Sequence, residues 1–177
     1  YLLGDRPTLA DVGFSGPFFR HFALDPIPLQ VLRHEAPNTL EWVMRLWNSR
    51  PESLQGALIQ GVPDDIHALL QHMARGYLPY LNANVDAVRQ GKSTFTAKVD
   101  GVTYTQARSS HYRVWCLSEL RSRFNVVPQD VQPGLQLLLT KAGIWEALWA
   151  QDDLPLAEGQ ESRLPFWADH KMLQVNR

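Results

Sequence analysis

An excess of charge of either sign is missing from this chain, and a class of partners goes with it. Lys and Arg number 17 against 18 Asp and Glu, a net charge of −1. The sequence therefore carries no electrostatic footprint for nucleic acid or an anionic membrane. Cysteine is nearly missing too. The lone Cys116 cannot close an internal disulfide, which suits a reducing cytosol. No apolar run approaches the roughly 20 residues of a membrane span, and no signal peptide is visible. The expected location is cytoplasmic. The sequence holds no paired CxxC, no HExxH, no glycine-rich phosphate loop and no G-x-S-x-G elbow. His67 and His72 are five apart and face different sides of a helix, and His21 and His34 have no nearby cysteine. No metal site is expected, and His170, in the tail, adds nothing to this.

What is present is a well-populated core. Apolar residues make up 45% of the 177, enough for one domain or one domain with an appendage. Six tryptophans supply large aromatic anchors.

The first organised feature lies almost at the start. Thr8 is a good N-cap residue, and Asp11, three positions on, can reach back to the amide of Thr8. This is a capping box with Asp in place of Glu, and its acidic group suits the positive end of a helix. Gly4 and Asp5 read as a turn before it. Leu9, Val12, Phe14, Phe18, Phe19 and Phe22 follow as a strongly apolar helix, interrupted at Gly16 and Pro17, where a kink is expected.

The run Gly4-Asp5-Arg6-Pro7-Thr8-Leu9-Ala10-Asp11 resembles the Gly-Asp-x-x-Ser/Thr-x-Ala-Asp segment of the glutathione transferase family. There it opens the buried central helix of the all-helical C-terminal domain. The resemblance continues through Asp25-Pro26 and Ala36-Pro37-Asn38 to Trp42. Pro7 departs from it, standing where the family carries an aliphatic residue that staples the helix start, so the staple to Val12 is weakened or replaced. In that family a thioredoxin-like domain and two long helices precede this point. The thioredoxin-like domain binds glutathione, and the residue that activates its thiol belongs to that preceding part. The resemblance thus implies that glutathione and its activating residue belong to a part outside this sequence, and that the chain, which begins at Tyr1, is the back half of something larger. No catalytic residue and no cofactor of this chain's own are expected.

Further along, Asn38 with Glu41 forms another cap-like pair before Leu40, Val43, Met44 and Trp47. Residues 51–63 hold two glycines and two prolines and read as a linker loop. Ile66, Leu69, Leu70, Met73, Tyr77, Leu81, Val85 and Val88 recur at helical steps. That predicts a long amphipathic helix, bent by Pro79 and closed by Gly91. Residues 93–105 are β-branched and aromatic around Asp100-Gly101, a hairpin signal. Two more helices are marked, one by Val114, Leu117, Leu120 and Phe124, the other from Val131 to Trp149. The tail, 151–177, is expected to wrap the surface. This order resembles a long bacterial branch of glutathione-transferase-like proteins of undefined activity. The expected fold is mainly α, an irregular bundle of about five to six helices of the transferase C-terminal type with one small β-hairpin. Residues 1–50 would be the core helices and 64–150 a helical extension.

The segment Arg108-Ser109-Ser110-His111-Tyr112-Arg113-Val114-Trp115 mixes guanidinium groups, hydroxyls and aromatics where a hairpin runs into a helix. Arg108, His111, Tyr112 and Trp115 are candidates for a substrate wall, since aromatics supply apolar area while Arg and helix-start amides meet an anion. A solvated helix start with Tyr112 and Trp115 packed inward is the other reading of the same residues. Adjacent Ser110 and His111 do not make a nucleophile and base, and Cys116 among Val114, Trp115 and Leu117 reads as an inert small hydrophobe.

Three functions follow. In the first, the chain is the electrophile-side domain of a transferase-like protein. It binds a small apolar electrophile while a separate domain holds glutathione, and it forms part of a homodimer contact. In the second it is a non-catalytic helical scaffold or protein-binding module. The third, a carrier with an apolar pocket, has no dedicated motif. The capping box generates a direct test. Thr8→Ala should cost about 0.5–2 kcal/mol in urea unfolding, and a transition matching the parent's would mean that Thr8 caps nothing.

Overall fold

The computed structural model of the chain describes residues 1–157, so the tail from 158 onward, His170 included, lies outside the described residues. Contacts divide the chain into two compact units, residues 1–64 and 65–177.

In the first unit, Thr8 sits in extended backbone and starts helix α1 (Leu9–Pro17), where the capping box is present. Asp11 is fully buried and accepts four hydrogen bonds. They come from the Leu2 amide at 2.8 Å, the Thr8 amide at 2.8 Å, the Thr8 hydroxyl at 2.7 Å and Trp42 Nε1 at 2.9 Å. Burial pushes its pKa up, but these donors, Leu2 and Trp42 foremost, outweigh burial and hold it below the ordinary value of 3.8. Pro17 removes a backbone donor, and the irregularity expected at Gly16 and Pro17 takes the form of a π-helical segment, Phe18–Ala23. Helices α2 (Pro26–Glu35) and α3 (Pro37–Trp47) follow, each with proline in its first turn, where the missing N–H has no intrahelical role. The N-cap of α3 is Ala36, so the cap-like role expected of Asn38 is not realised: Pro37 starts the helix one residue earlier.

The loop segment 57–59 pairs with the N-terminal residues. Asp5 donates to Ala57 O at 2.9 Å and Ile59 to Leu3 O at 3.0 Å. Gly4 permits this close approach, because at its φ of +132° a Cβ would lie 2.5 Å from Ala57 O. Phe18 meets Trp42 edge-on at 5.9 Å, and Phe19 stacks on Trp47 at 4.0 Å.

The second unit starts with an unbroken helical run, α4 (Asp64–His72), a π-helical segment Met73–Tyr77, then α5 (Leu78–Arg89). Pro79 falls in the first turn of α5, so the bend expected there is a change of helix type. Gly91 at φ +63° ends the run. Lys92 donates to Ala87 O and Gly91 to Val88 O, the paired bonds of a Schellman motif. Strands β1 (Thr94–Val99) and β2 (Val102–Arg108) form an antiparallel hairpin. Asp100 and Gly101 both have positive φ, as a type I′ turn requires. The register shifts between Phe95 and Ala97, where Gln106 takes φ +55° as a bulge. Asp100 donates its amide to Arg75 O at 3.2 Å and pairs with Arg75 Nε at 3.5 Å, which docks the turn on the π segment.

Helix α6 (His111–Asn125) crosses α5. The single helix expected over Val131–Trp149 is instead two, α7 (Gln132–Lys141) and α8 (Trp145–Leu148). The cause is Gly143 at φ +74°, with Ile144 donating to Leu139 O at 2.8 Å and Gly143 to Thr140 O at 3.0 Å, a second Schellman stop. Eight α-helices, rather than about five to six, lie among the described residues. Leu78, Leu81, Val85, Val114, Leu117, Ile144 and Leu148 make the buried core. Arg121 closes it, donating to Leu148 O and Gln151 O at 2.8 and 2.7 Å. Beyond them Leu154 and Leu156 pack on the core. Among the described residues no helix is long and apolar enough to cross a membrane.

Replacing Asp11 by Asn trades one accepting oxygen for an amide that faces existing donors. Each donor left unpaired should cost about 1–3 kcal/mol in urea unfolding at neutral pH. The folded carboxyl pKa is depressed, so the carboxylate's stabilisation is present above its unfolded pKa and is lost as pH falls through the folded one. The gap between parent and Asp11→Asn should therefore narrow in acid, and a pH-independent gap would refute the charge's role.

Candidate functional site

The junction between the hairpin and α6 is built around a buried amide. Asn84 on α5 is fully buried. It accepts from the Ser110 amide at 2.8 Å and donates to Ser110 O at 2.9 Å. Ser110 in turn caps α6 by accepting from the Tyr112 amide at 3.2 Å, and Ser109 donates its hydroxyl to Lys92 O. The start of α6 is thus fixed to α5 through the buried Asn84 amide, where hydrogen bonds are strengthened.

This fixed start presents the sequence candidates unequally. Tyr112 and Trp115 come together, stacked at 5.9 Å between ring centroids. Tyr112 is 46% exposed and Trp115 half-buried, so the pair lies at the surface. Arg108 and His111 are both exposed. Arg108 takes part through its carbonyl, which accepts from Arg113 Nη1 at 2.6 Å. The guanidinium that reaches the aromatics is that of Arg113, 5.2 Å above the Tyr80 ring, which itself meets Phe95 at 5.2 Å.

Two further groups join that sequence reasoning had placed elsewhere. Cys116 is half-buried, packs against the aliphatic core and lies beside the Tyr77 and Tyr112 phenols. Tyr77 lies in the π-helical segment and is 43% exposed. Burial first, then the charge and hydrogen bond of Cys116, push the Tyr77 phenol up to about 12. Tyr112 is raised as well, chiefly by Cys116 and then by burial. At neutral pH both phenols are protonated, as tyrosines ordinarily are, and each can donate a hydrogen bond. The four-residue step from Tyr112 to Cys116 was a readable signal. Tyr77 was not, because the π turn shifts its face relative to the α-helical period.

The first unit carries a different feature, an apolar groove of about 630 Å³ lined by Val12, Gly16, Phe19, Leu24, Val43 and Trp47. It lies beside the helix that Asp11 anchors. Residues 1–50 match the family model of the Glutathione S-transferase, C-terminal domain. No curated protein and no solved structure matches the chain. Within the transferase segment, then, lie the capping box of Thr8 and Asp11 and the apolar groove, whereas Arg108, His111, Tyr112 and Trp115 all fall beyond it.

The raised phenols give a readout at high pH. A folded pKa above the unfolded value of 10 means that stability is fully present below pH 10 and falls as pH rises towards 12. Tyr77→Phe should flatten part of that alkaline decline in thermal unfolding. A decline as steep as the parent's would show that Tyr77 titrates as in the unfolded chain.

Proposed function

We propose that this chain is the electrophile-side module of a glutathione-transferase-like protein, with glutathione held by a thioredoxin-like domain outside these 177 residues. The observation that carries the reading is the family match of residues 1–50. In the reaction, the thiolate sulfur of glutathione attacks an electrophilic carbon of an apolar substrate. A C–S bond forms and the leaving group departs with the electron pair of its bond, as chloride does from chlorodinitrobenzene. The chain supplies an apolar wall at Tyr112 and Trp115, with the neutral Tyr77 phenol positioned to donate to a polar substituent of the substrate. Arg108 and His111 flank the wall from solvent. The protein works in the cytoplasm as a homodimer.

A second reading, a helical scaffold that binds another protein, draws support from large apolar side chains on the first unit. Leu9 is 82%, Ile27 77% and Trp47 65% exposed, apolar side chains that a partner could cover.

The test is glutathione conjugation by the protein expressed from its complete gene. Trp115→Ala and Tyr112→Ala should raise KM for the electrophile about tenfold, the scale of losing one good apolar contact, with KM for glutathione unchanged. The 177-residue chain alone should form no conjugate. Turnover by that chain would overturn the division of labour, and an unmoved KM would remove the wall. A complete protein that binds no glutathione but captures a defined partner through Ile27 and Trp47 would establish the scaffold reading instead.

A further inference from the structure

The second unit holds another apolar space, on residues used neither by the family match nor by the Tyr112–Trp115 wall. It is a cavity of about 310 Å³. Leu70 and Met73 bound one side, Leu120 and Phe124 of α6 a second, and Leu135 and Leu139 of α7 a third. Its floor is the buried core at Leu78 and Leu148. The two outer walls, α4 and α7, bury no side chain fully, and Leu70 and Leu139 pack only partly buried on the core. A guest would complete the burial of both walls against a floor that is already well packed.

The chemistry of the lining limits that guest. Arg123 is the one charged residue among those that line it, and its Nε is already paired with Glu119 Oε1 at 2.7 Å. A ligand anion would have to displace Glu119 or lie beside it. A ligand hydroxyl would find no side chain set inward to receive it, and an unpaired polar group in an apolar space is unfavourable. Size narrows the choice again. A dry cavity of about 150 Å³ holds a benzene-sized guest, and this one is about twice as large.

We infer that the cavity between α4, α6 and α7 binds a neutral, apolar small molecule the size of a fused two-ring aromatic. Binding needs no glutathione and no residue of the transferase segment.

Titration calorimetry and thermal unfolding of the 177-residue chain with naphthalene, and with naphthalene-2-sulfonate as a charged analogue of the same ring, test this. Naphthalene should bind saturably at one site per chain and raise Tm. The sulfonate should bind at least about tenfold more weakly, as the cost of setting a charge against an apolar wall dictates. Leu135→Trp or Leu139→Phe fills the space. Either variant, with unchanged far-ultraviolet circular dichroism, should lose naphthalene binding, whereas guests in the groove of the first unit would be unaffected. The inference is overturned by the lack of saturable naphthalene binding, by equal affinity for the sulfonate, or by undiminished binding in a folded filled variant. Dimerisation of the parent chain that a filled variant abolishes would place a second copy in the cavity and overturn it too. Should neither variant fold, the two-ligand comparison on the unaltered chain decides alone.

Discussion

A carboxylate taken out of water must find strong donors or give up its charge, and Asp11 finds four. The desolvation cost is several kcal/mol, and hydrogen bonds to a charged group contribute about 1.5–3 kcal/mol each, so the set as a whole can win where any single bond could not. The four donors come from three places: the N-terminal turn, the start of α1, and Trp42 on α3. Holding one anion therefore joins segments that local propensity leaves independent. It also sets the backbone path that lets Leu3 and Asp5 pair with residues 57–59. The segment matched to the transferase C-terminal domain is organised around this group rather than around a large aliphatic core, since Val43 and Leu32 are the only large apolar side chains buried in it.

The second unit solves its packing differently. Its core is aliphatic, and polar groups act at the ends of elements. Two Schellman stops end α5 and α7, Asn84 ties the start of α6 to α5, and Arg121 ties the end of α8 to α6. These devices fix element ends firmly while α4 and α7 stay partly exposed. A firm floor with thinly packed outer walls is an arrangement in which a cavity survives, because close-packed interiors otherwise leave few voids larger than a water molecule.

The element ends also decide which side chains α6 presents. With Ser110 locked, the first turn of α6 must face Tyr112 and Trp115 outward, and Cys116 falls one turn behind Tyr112. The π-helical segment then brings Tyr77 to the same thiol. Phenol, thiol and stacked aromatics come from two elements more than thirty residues apart in sequence, held by a hairpin whose turn is docked on Arg75. An aromatic pair built this way is placed by the fold rather than by its own loop.

The sequence by itself determined what depends on neighbours within a few residues. The hairpin was legible from Asp100-Gly101, because only a turn with two positive φ values suits that pair between β-branched runs. The stop at Gly91 was legible for the same steric reason, and the capping box from the spacing of Thr8 and Asp11. Gly143 carried an equal signal, but the apolar period running on to Trp149 masked it. Tertiary structure alone decided the rest. Asp11 gained Leu2 and Trp42 as donors, which no local spacing announces. Tyr77 joined Tyr112 and Cys116 only because a π turn rotated its helix, and the cavity exists only because α4 and α7 close incompletely over the core. The physical reason is range: dihedral and capping preferences act over a few residues, whereas burial and shared hydrogen bonds are settled by which distant elements meet.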